Sequence, residues 1–385
     1  MTEKLYDIDS GIFAFTARVT GCEPAGKGYA LRLDRTAFFP EGGGQQADTG
    51  SIGEARVLDV QEEGGEIRHY TDKPLAVGAE VSCVLDKEQR RRRMQNHSGE
   101  HVISGLIHGL YGWDNVGFHM GESYMTMDYS GELSWEELMR VETLANEAVR
   151  DDLPIRAWYP EPEQLQDMVY RSKLDLTENV RIVEIPGIDR CACCAPHVSS
   201  TGQIGAVKIL TAERHRGGTR ITALCGLDAM EDYRARQESV SAISALLSAK
   251  REEVAPAVER LLGERDRLKE RVAALSMELV RLRAESVAPT EGNLCLFDTV
   301  LDEVAQRELV NLLMERCSGA AAVFCGDDEN GYRYIIGSLH ADLRAAARNI
   351  NAAIGGRGGG SPAMIQGRAA AKAAEIRAYF DSASI

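Results

Sequence analysis

The sequence predicts an α+β chain of several domains. A small β-barrel is expected over residues 1–88, a mixed α+β unit over 89–228, a coiled-coil or helical arm over 229–288 and an α/β domain over 289–385. Three observations carry this. Apolar and polar residues alternate through the first stretch, as half-buried strands require. Residues 229–288 keep a 4-3-4-3 apolar rhythm. On either side of that arm, strand-like and helix-like segments interleave. At 385 residues the chain is long enough for two or three separate cores.

In the first region, ARVTGCEPAGKGYALRLDRTAFFP and EARVLDVQEEGGEIRHYTD alternate around glycine-containing turns. AEVSCVLD reads as a further strand, and the pattern fits either a small barrel or a bent sheet. Within it lies FFPEGGGQQADTGSIG, residues 38–53. Its three glycines, Gly42, Gly43 and Gly44, permit backbone conformations and close approaches closed to other residues. The loop is either a tight barrel corner or a flap over a ligand, with Glu41, Gln45 and Gln46 as polar contacts.

From about residue 89 the pattern turns helical. RRRRMQNHSGEHVISGL places His97 and His101 four residues apart, so a helix presents both imidazoles on one face. Val102, Leu106 and Leu110 continue an apolar stripe. Downstream, CACCAPHVSSTGQIG repeats the spacing with Cys193 and His197, where Pro196 disfavours an ordinary helix. One histidine pair is also what a satisfied surface or core pair looks like. Three imidazoles and a thiolate in two such pairs form a tetrahedral zinc set, one Zn2+ per chain. Cys191 and Cys194 stay open as alternative ligands, redox-sensitive thiols or small buried residues. Ser134 and Glu137 form a capping box for a helix that ends at Asp151-Asp152-Leu153-Pro154. Strand-like segments then recur to about residue 226.

Leu268, Val272, Leu275, Leu279 and Leu282 carry the later heptad, Val240, Ile243, Leu247 and Val254 an earlier one, and Pro256 is the expected break. In the last hundred residues strands alternate with EVAQRELVNLLMERC. A glycine-rich stretch, INAAIGGRGGGSPAMIQG, reads as a loop ahead of a helix, where backbone amides bind phosphate. It matches no Walker or dinucleotide fingerprint.

The nine cysteines have no framework spacing outside the 191–194 cluster, which fits a metal or reactive site in a reducing compartment. No run of eighteen apolar residues is present, so no membrane partner is expected. The start, MTEKLYDIDSG, lacks a signal-peptide pattern, and a cytoplasmic protein is expected. A net charge of −15 argues against a nonspecific nucleic-acid binder. It leaves room for local basic faces. One candidate is Arg90, Arg91, Arg92 and Arg93, otherwise a solvated helix face. Another is the segment from Ala341 onward, with six basic residues, Arg357 among them, against three acidic ones.

With these motifs in place, the chain resembles the alanyl-tRNA editing proteins of the AlaX type, in particular the long form related to alanyl-tRNA synthetase. The resemblance rests on TAFFPEGGGQQADTG, NHSGEH, CCAPHVSSTGQIG and GGRGGGSPAMIQG in that order, and covers essentially the whole chain. The family often shows C-G-G-T-H where this chain has CCAPH. The resemblance implies a zinc-dependent hydrolase that removes serine or glycine from mischarged tRNA(Ala), with His97, His101, Cys193 and His197 as ligands. It implies that Thr36 recognises the seryl hydroxyl and that the loop Glu41–Gln45 lines the aminoacyl pocket. Arg90–Arg93 and Arg357 would hold tRNA phosphates, and the arm would set their separation or join two subunits as a homodimer. Some 35 residues precede Thr36, too few for an aminoacylation module. The alternative is a zinc-containing tRNA-binding or dimerisation module without hydrolysis. H-E-x-x-H is absent, since Glu100 does not follow His97 directly.

Overall fold

A computed structural model describes residues 2–121, 123–172 and 180–385 and divides into two compact units, Met1–Ala242 and Ile243–Ile385. The chain begins with β1 (Glu3–Lys4), the single turn α1 (Leu5–Ile8) and the long β2 (Ala14–Ala25), then β3 (Gly28–Leu33) and β4 (Arg35–Thr36). Strands β5 (Gly50–Ile52), β6 (Ala55–Glu63), β7 (Glu66–Thr71) and β8 (Glu80–Leu85) follow. The strands hydrogen-bond in the order β2-β3-β7-β6-β5-β8, and β8 returns to β2, which closes the ring. The period-2 alternation points Val19, Leu31, Leu33, Val57, Ile67 and Cys83 inward, all essentially inaccessible to solvent.

Helix α2 (Lys87–Tyr111) leaves the barrel with Asp86 as its cap, the carboxylate accepting from Gln89 N–H at 3.0 Å, and stops at Gly112 in the left-handed region. Next come β9 (Asn115–Met120), β10 (Met125–Tyr129), α3 (Trp135–Arg150), β11 (Arg156–Trp158), α4 (Pro162–Asp167), β12 (Ile182–Ile185) and β13 (Asp189–Ala192). The unit continues through β14 (Val207–His215) and β15 (Gly218–Cys225) into α5 (Gly226–Leu247). The capping box read at Ser134 and Glu137 is formed. A four-stranded antiparallel sheet, β14-β15-β10-β9, and a three-stranded one, β11-β12-β13, complete the unit. Helices α2 and α3 bury Val102, Ile103, Ile107, Leu138, Val141 and Ala145 against Met127 and Ile221 of the larger sheet. At Gly105, α2 runs too close to the start of β13 to carry a side chain. A Cβ on Gly105 would lie 2.5 Å from the Ile188 carbonyl oxygen.

The barrel and α2 are locked together by an ion pair that the sequence does not announce. Arg90 is wholly buried and Asp48 is 1% exposed. The guanidinium donates to Asp48 Oδ2 through Nε at 2.9 Å and again through Nη2, and also to the carbonyls of Ala37 and Ser10.

The second unit holds α6 (Val254–Ser286), β16 (Leu294–Asp298), α7 (Glu303–Met314), β17 (Ala321–Asp327), β18 (Gly331–Gly337), α8 (Leu343–Ala353), β19 (Gly356–Gly360), β20 (Met364–Ala369) and α9 (Ala373–Ser382). Its sheet runs β16-β17-β18-β20-β19, with β16 and β17 parallel and α7 between them in sequence. One face packs Val323 and Ile335 against Leu309, Val310 and Leu313 of α7 and Val280 of α6. The other packs Phe324 and Tyr334 against Ile350, Ile376 and Phe380.

Two expectations are corrected here. The helical arm breaks at Ser248, which has φ +50°, rather than at Pro256. Pro256 lies in the first turn of α6, where an N–H has no intrahelical partner to lose. The glycine-rich stretch is not a loop ahead of a helix. Gly356–Gly360 forms edge strand β19, paired with β20, so its amides do not converge on a helix terminus.

Candidate metal centre and adjoining pocket

His97 and His101 stand one turn apart on the buried stretch of α2. Their partners come from the irregular loop after β13. Arg181 clamps that loop by donating to the carbonyls of Ala195 (2.8 Å) and Cys193 (3.1 Å). Ser10 donates to the His197 carbonyl at 2.6 Å, and Ser98 accepts from Val198 N–H at 3.2 Å. The loop is not helical, as Pro196 led us to expect.

The four side chains converge. Their ligating atoms all lie within 4.8 Å of one another, and Cys193 Sγ is 3.6 Å from His97 Nε2 and 3.4 Å from His197 Nε2. Zinc bonds of about 2.0–2.1 Å to nitrogen and 2.3 Å to sulfur give tetrahedral N···S edges of roughly 3.5 Å. The spacing therefore fits.

The other ring nitrogens fit as well. His97 Nδ1 meets Gln45 Oε1 at 3.0 Å, and His101 Nδ1 meets Asp189 Oδ2 at 2.8 Å. These oxygens only accept, so both rings donate from Nδ1 and keep an Nε2 lone pair for a cation. Ser98 Oγ lies 3.3 Å from His197 Nδ1. Asp189 is in turn held by Arg171, whose Nε and Nη2 donate at 2.7 and 2.9 Å.

The electrostatics suit a divalent cation. Burial alone would raise the Cys193 thiol, yet the electrostatic influence of His97 and hydrogen bonds with His101 and His197 hold it well below its usual range. Burial lowers His197 to about 3, so its imidazole is neutral. For His101, burial opposes protonation. The Glu100 charge, the Asp189 hydrogen bond and Cys193 outweigh it and raise the ring well above its ordinary value. Surroundings that hold a proton on His101 also favour a metal cation in its place. A second group of possible ligands, His101, Asp189 and Cys191, shares His101 with the first. Arg171 already engages both Asp189 oxygens, and burial pushes the Cys191 thiol up to about 11. The geometry favours the set with Cys193.

Beside the cluster opens a cavity of about 430 Å3 whose walls include Gly43, Gly44, Glu100, Phe118, Tyr159 and Arg181. Gly44 has φ +82°, and a Cβ there would fall 2.6 Å from the Phe118 carbonyl oxygen. The loop is pinned at that point by Met120 N–H donating to the Gly44 carbonyl at 2.9 Å. Gly42 closes the turn through paired backbone bonds with Gln45.

The remaining residues singled out in the sequence scatter. Gln45 reaches the metal cluster. Glu41 is exposed and accepts from Gln61 at 3.0 Å, away from it. Thr36 is fully buried in the barrel, outside the described pocket lining. Its hydroxyl donates to His69 Nε2 at 2.8 Å and accepts from Phe38 N–H at 3.1 Å. His69 donates from Nδ1 to the Leu31 carbonyl at 3.2 Å, and burial lowers it to about 4, so it is a neutral acceptor for Thr36.

The arginine run does not form one basic face, because successive helical residues turn by about 100°. Arg90 is the buried partner of Asp48 and is removed from the phosphate-binding set. Arg92 is bound by Glu88, Asp228 and Glu231, and Arg93 donates to the Ala47 carbonyl and Gln46. Arg91 is exposed. Arg357 lies on edge strand β19 directly opposite Arg368 of β20, and both are exposed. Asp189, Arg171, Ser98 and His69 were not foreseen. Ser98 alone had a local signal, lying inside NHSGEH.

One segment of this unit matches a domain class found in the tRNA synthetases. Residues 180–222, which carry Cys193 and His197, match the threonyl and alanyl tRNA synthetase second additional domain. Over 390 residues the chain is 31% identical to an alanine–tRNA ligase of Methanopyrus kandleri, covering 95% of this chain and 42% of the ligase. It thus spans about two fifths of the ligases it matches. It is 27% identical over 396 residues to the alanyl-tRNA editing protein AlaX-L of Pyrococcus horikoshii, covering 98% of this chain and 96% of that one. The mouse alanyl-tRNA editing protein Aarsd1 is 27% identical over 387 residues, covering 94% and 92%. The chain is a homologue of the long AlaX-type alanyl-tRNA editing proteins, related to alanyl-tRNA synthetase.

Proposed function

We propose that the protein is a trans-acting deacylase that hydrolyses the ester of serine or glycine wrongly attached to tRNA(Ala), with one zinc per chain. The observation that carries this is the cluster His97, His101, Cys193 and His197, spaced for zinc on the wall of a pocket roofed by the glycine loop. The whole-length relationship to alanyl-tRNA editing proteins supports it.

An aminoacyl ester is already activated, so positioning and charge stabilisation suffice. Gln45 fixes the His97 ring through Oε1. Its Nε2 is buried without a hydrogen-bond partner among the described residues, which leaves a donor for an ester carbonyl. Zinc, when bound, would add positive charge at that carbonyl. A second reading, a tRNA-binding or dimerising module without hydrolysis, draws on the four protein ligands, which close a tetrahedron as structural zinc sites do.

Deacylation time courses on seryl-, glycyl- and alanyl-tRNA(Ala), with and without a chelator, decide between them. Rapid loss of serine or glycine, alanine spared and activity abolished by the chelator is the expected result. No hydrolysis by the zinc-loaded protein leaves the second reading. Because alanine is smaller than serine, it is not refused by size; serine is favoured by a hydrogen bond that alanine cannot make, worth about 0.5–1.5 kcal/mol. We assign that bond to Thr36, whose hydroxyl, donating to His69 and accepting from Phe38 N–H, keeps one lone pair for the seryl hydroxyl. Thr36→Val is expected to narrow the serine-over-alanine ratio about tenfold while Thr36→Ser preserves it. An unchanged ratio makes Thr36 a barrel-core residue only.

Arg91, Arg357 and Arg368 are the exposed cations we assign to tRNA phosphates, so binding should weaken as salt is added. Homodimerisation is assigned to α6, where Leu268, Val272, Leu275, Leu279 and Leu282 keep the heptad yet are 42–65% exposed. Sedimentation of the full chain should show a dimer that Leu268→Glu with Leu275→Glu converts to monomer. An unaltered dimer removes α6 from that role. Among the described residues no helix is long and apolar enough to cross a membrane. A cytoplasmic location fits the proposed role in translation.

A further inference from the structure

We infer that Tyr159 is the platform on which the 3′-terminal adenine of the tRNA stacks while the ester carbonyl lies at the metal cluster. This rests on the deacylase reading above and adds to it a residue that touches the nucleotide rather than the amino acid.

The register of the three-stranded sheet brings Tyr159 to the same face as the ligand Cys193. Trp158 of β11 pairs with Ile182 of β12, which pairs with Ala192 of β13. One step further along lie Tyr159, Arg181 and Cys193, where Cys193 N–H donates to the Arg181 carbonyl at 3.0 Å. Residues in one row point to one face, and all three border the cavity beside the cluster. Two strand spacings, about 10 Å, separate Tyr159 from Cys193. Pro160 follows Tyr159 and disfavours a helical turn there, so the strand direction runs on past Trp158.

Tyr159 is 52% exposed, yet its hydroxyl is tied down. It donates to Asp7 Oδ2 at 3.0 Å, and Asp7 Oδ1 lies 3.5 Å from Arg181 Nε. Arg181 in turn holds the Cys193 and Ala195 carbonyls, so the ring and the metal loop share one frame. A ring fixed at its tip and half open to solvent offers a stacking surface at little ordering cost. The cavity of about 430 Å3 is far larger than a seryl group needs. It falls in the range of sites that take whole small ligands, about 300–1,000 Å3. The bonds of the substrate specify what fills the rest. From the ester carbonyl carbon to the base nitrogen run four or five bonds, about 5–6 Å at the rise of an extended chain. The width of the base then carries it from the cluster to the strand of Tyr159. Stacking reads no base edge, which suits a terminus that every tRNA shares.

The test uses the zinc-loaded full chain and two uncleavable amides, 3′-deoxy-3′-(serylamino)adenosine and the same amide on an abasic ribose. Binding is measured by calorimetry, with zinc content determined alongside. Tyr159→Ala should weaken the adenosine amide by about 5- to 150-fold and leave the abasic one unchanged. Tyr159→Phe, which keeps the ring and drops the Asp7 bond, should stay within about threefold of wild type on both. With 2-aminopurine in place of adenine, fluorescence should be quenched on binding to wild type and Tyr159→Phe but not to Tyr159→Ala. Equal weakening of both amides by Tyr159→Ala would make the tyrosine a pocket-shaping residue only and overturn the assignment. No weakening, or no binding by wild type, overturns it as well. If seryl-tRNA(Ala) is not deacylated while the Tyr159-dependent preference for the adenosine amide holds, the deacylase reading fails and the stacking assignment stands.

Discussion

Replacing His101 by alanine should empty the metal centre and abolish the chelator-sensitive activity together. Four-ligand zinc sites bind with an apparent ~10–16 kcal/mol, so one ligand's share is several kcal/mol and affinity should fall at least about 10³-fold. The loss should exceed that for His97, whose Nδ1 meets a neutral amide, because the partner on His101 Nδ1 is a carboxylate. His101 Nε2 faces Cys193, and its Nδ1 donates to Asp189, which Arg171 holds in turn. Removing the ring strands an Asp189–Arg171 pair that is almost buried. A fall in thermal stability should therefore accompany the fall in zinc. Asp189→Asn is the graded companion: with the ring kept but less firmly oriented, zinc affinity should drop by about 10- to 100-fold. Metal analysis of the purified variants after dialysis is the measurement. Stoichiometric zinc retained by His101→Ala would exclude His101 as a ligand, and with it the assigned set.

The parts of this centre that the sequence disclosed, and those it hid, divide on physical lines. His97 and His101, and Cys193 and His197, were legible because each pair is fixed by local spacing, and the i, i+4 helical pair needs no tertiary information. The acceptors Asp189 and Gln45 were not read as holders of the ring tautomers. They reach the rings from β13 and from the barrel loop, with sequence separations of 88 and 52. A run of four arginines looks like one feature in a string of letters, yet a helix points its members in four directions, which is why Arg90 ends in the core. The alternation in residues 1–88 was compatible with both a barrel and a bent sheet. What closes the ring is the pairing of β5 and β2 with β8, which no local pattern records. Gly356–Gly360 misled for the opposite reason. Glycine is poor in strands, so propensity argued for a loop, and the ladder with β20 overrode it.

Asp48→Ala is expected to destabilise the first unit by about 3–5 kcal/mol, because it leaves the Arg90 guanidinium charged and buried with no counter-ion. The effect should not stay local. Asp48 Oδ2 also accepts from Phe39 N–H at 2.7 Å, while Arg90 holds the Ala37 carbonyl, so the pair ties down both ends of the segment that carries Glu41–Gln45. Loosening it frees Gln45 from His97. A centre that depends on that amide for its ring orientation should bind zinc more weakly in Asp48→Ala, although Asp48 touches none of the ligands. Arg93→Met, which removes donors to the Ala47 carbonyl and Gln46 but leaves the Arg90–Asp48 pair intact, should cost less than Asp48→Ala, about 1–3 kcal/mol. Urea unfolding of the full chain, followed with zinc titration of each variant, separates the possibilities. A midpoint shift without any change in zinc affinity would make the Arg90–Asp48 pair a fold-stabilising contact alone. A shift in both would show that the barrel sets the metal site through its loop. In that case metal binding depends on a buried ion pair that supplies none of the four ligand atoms.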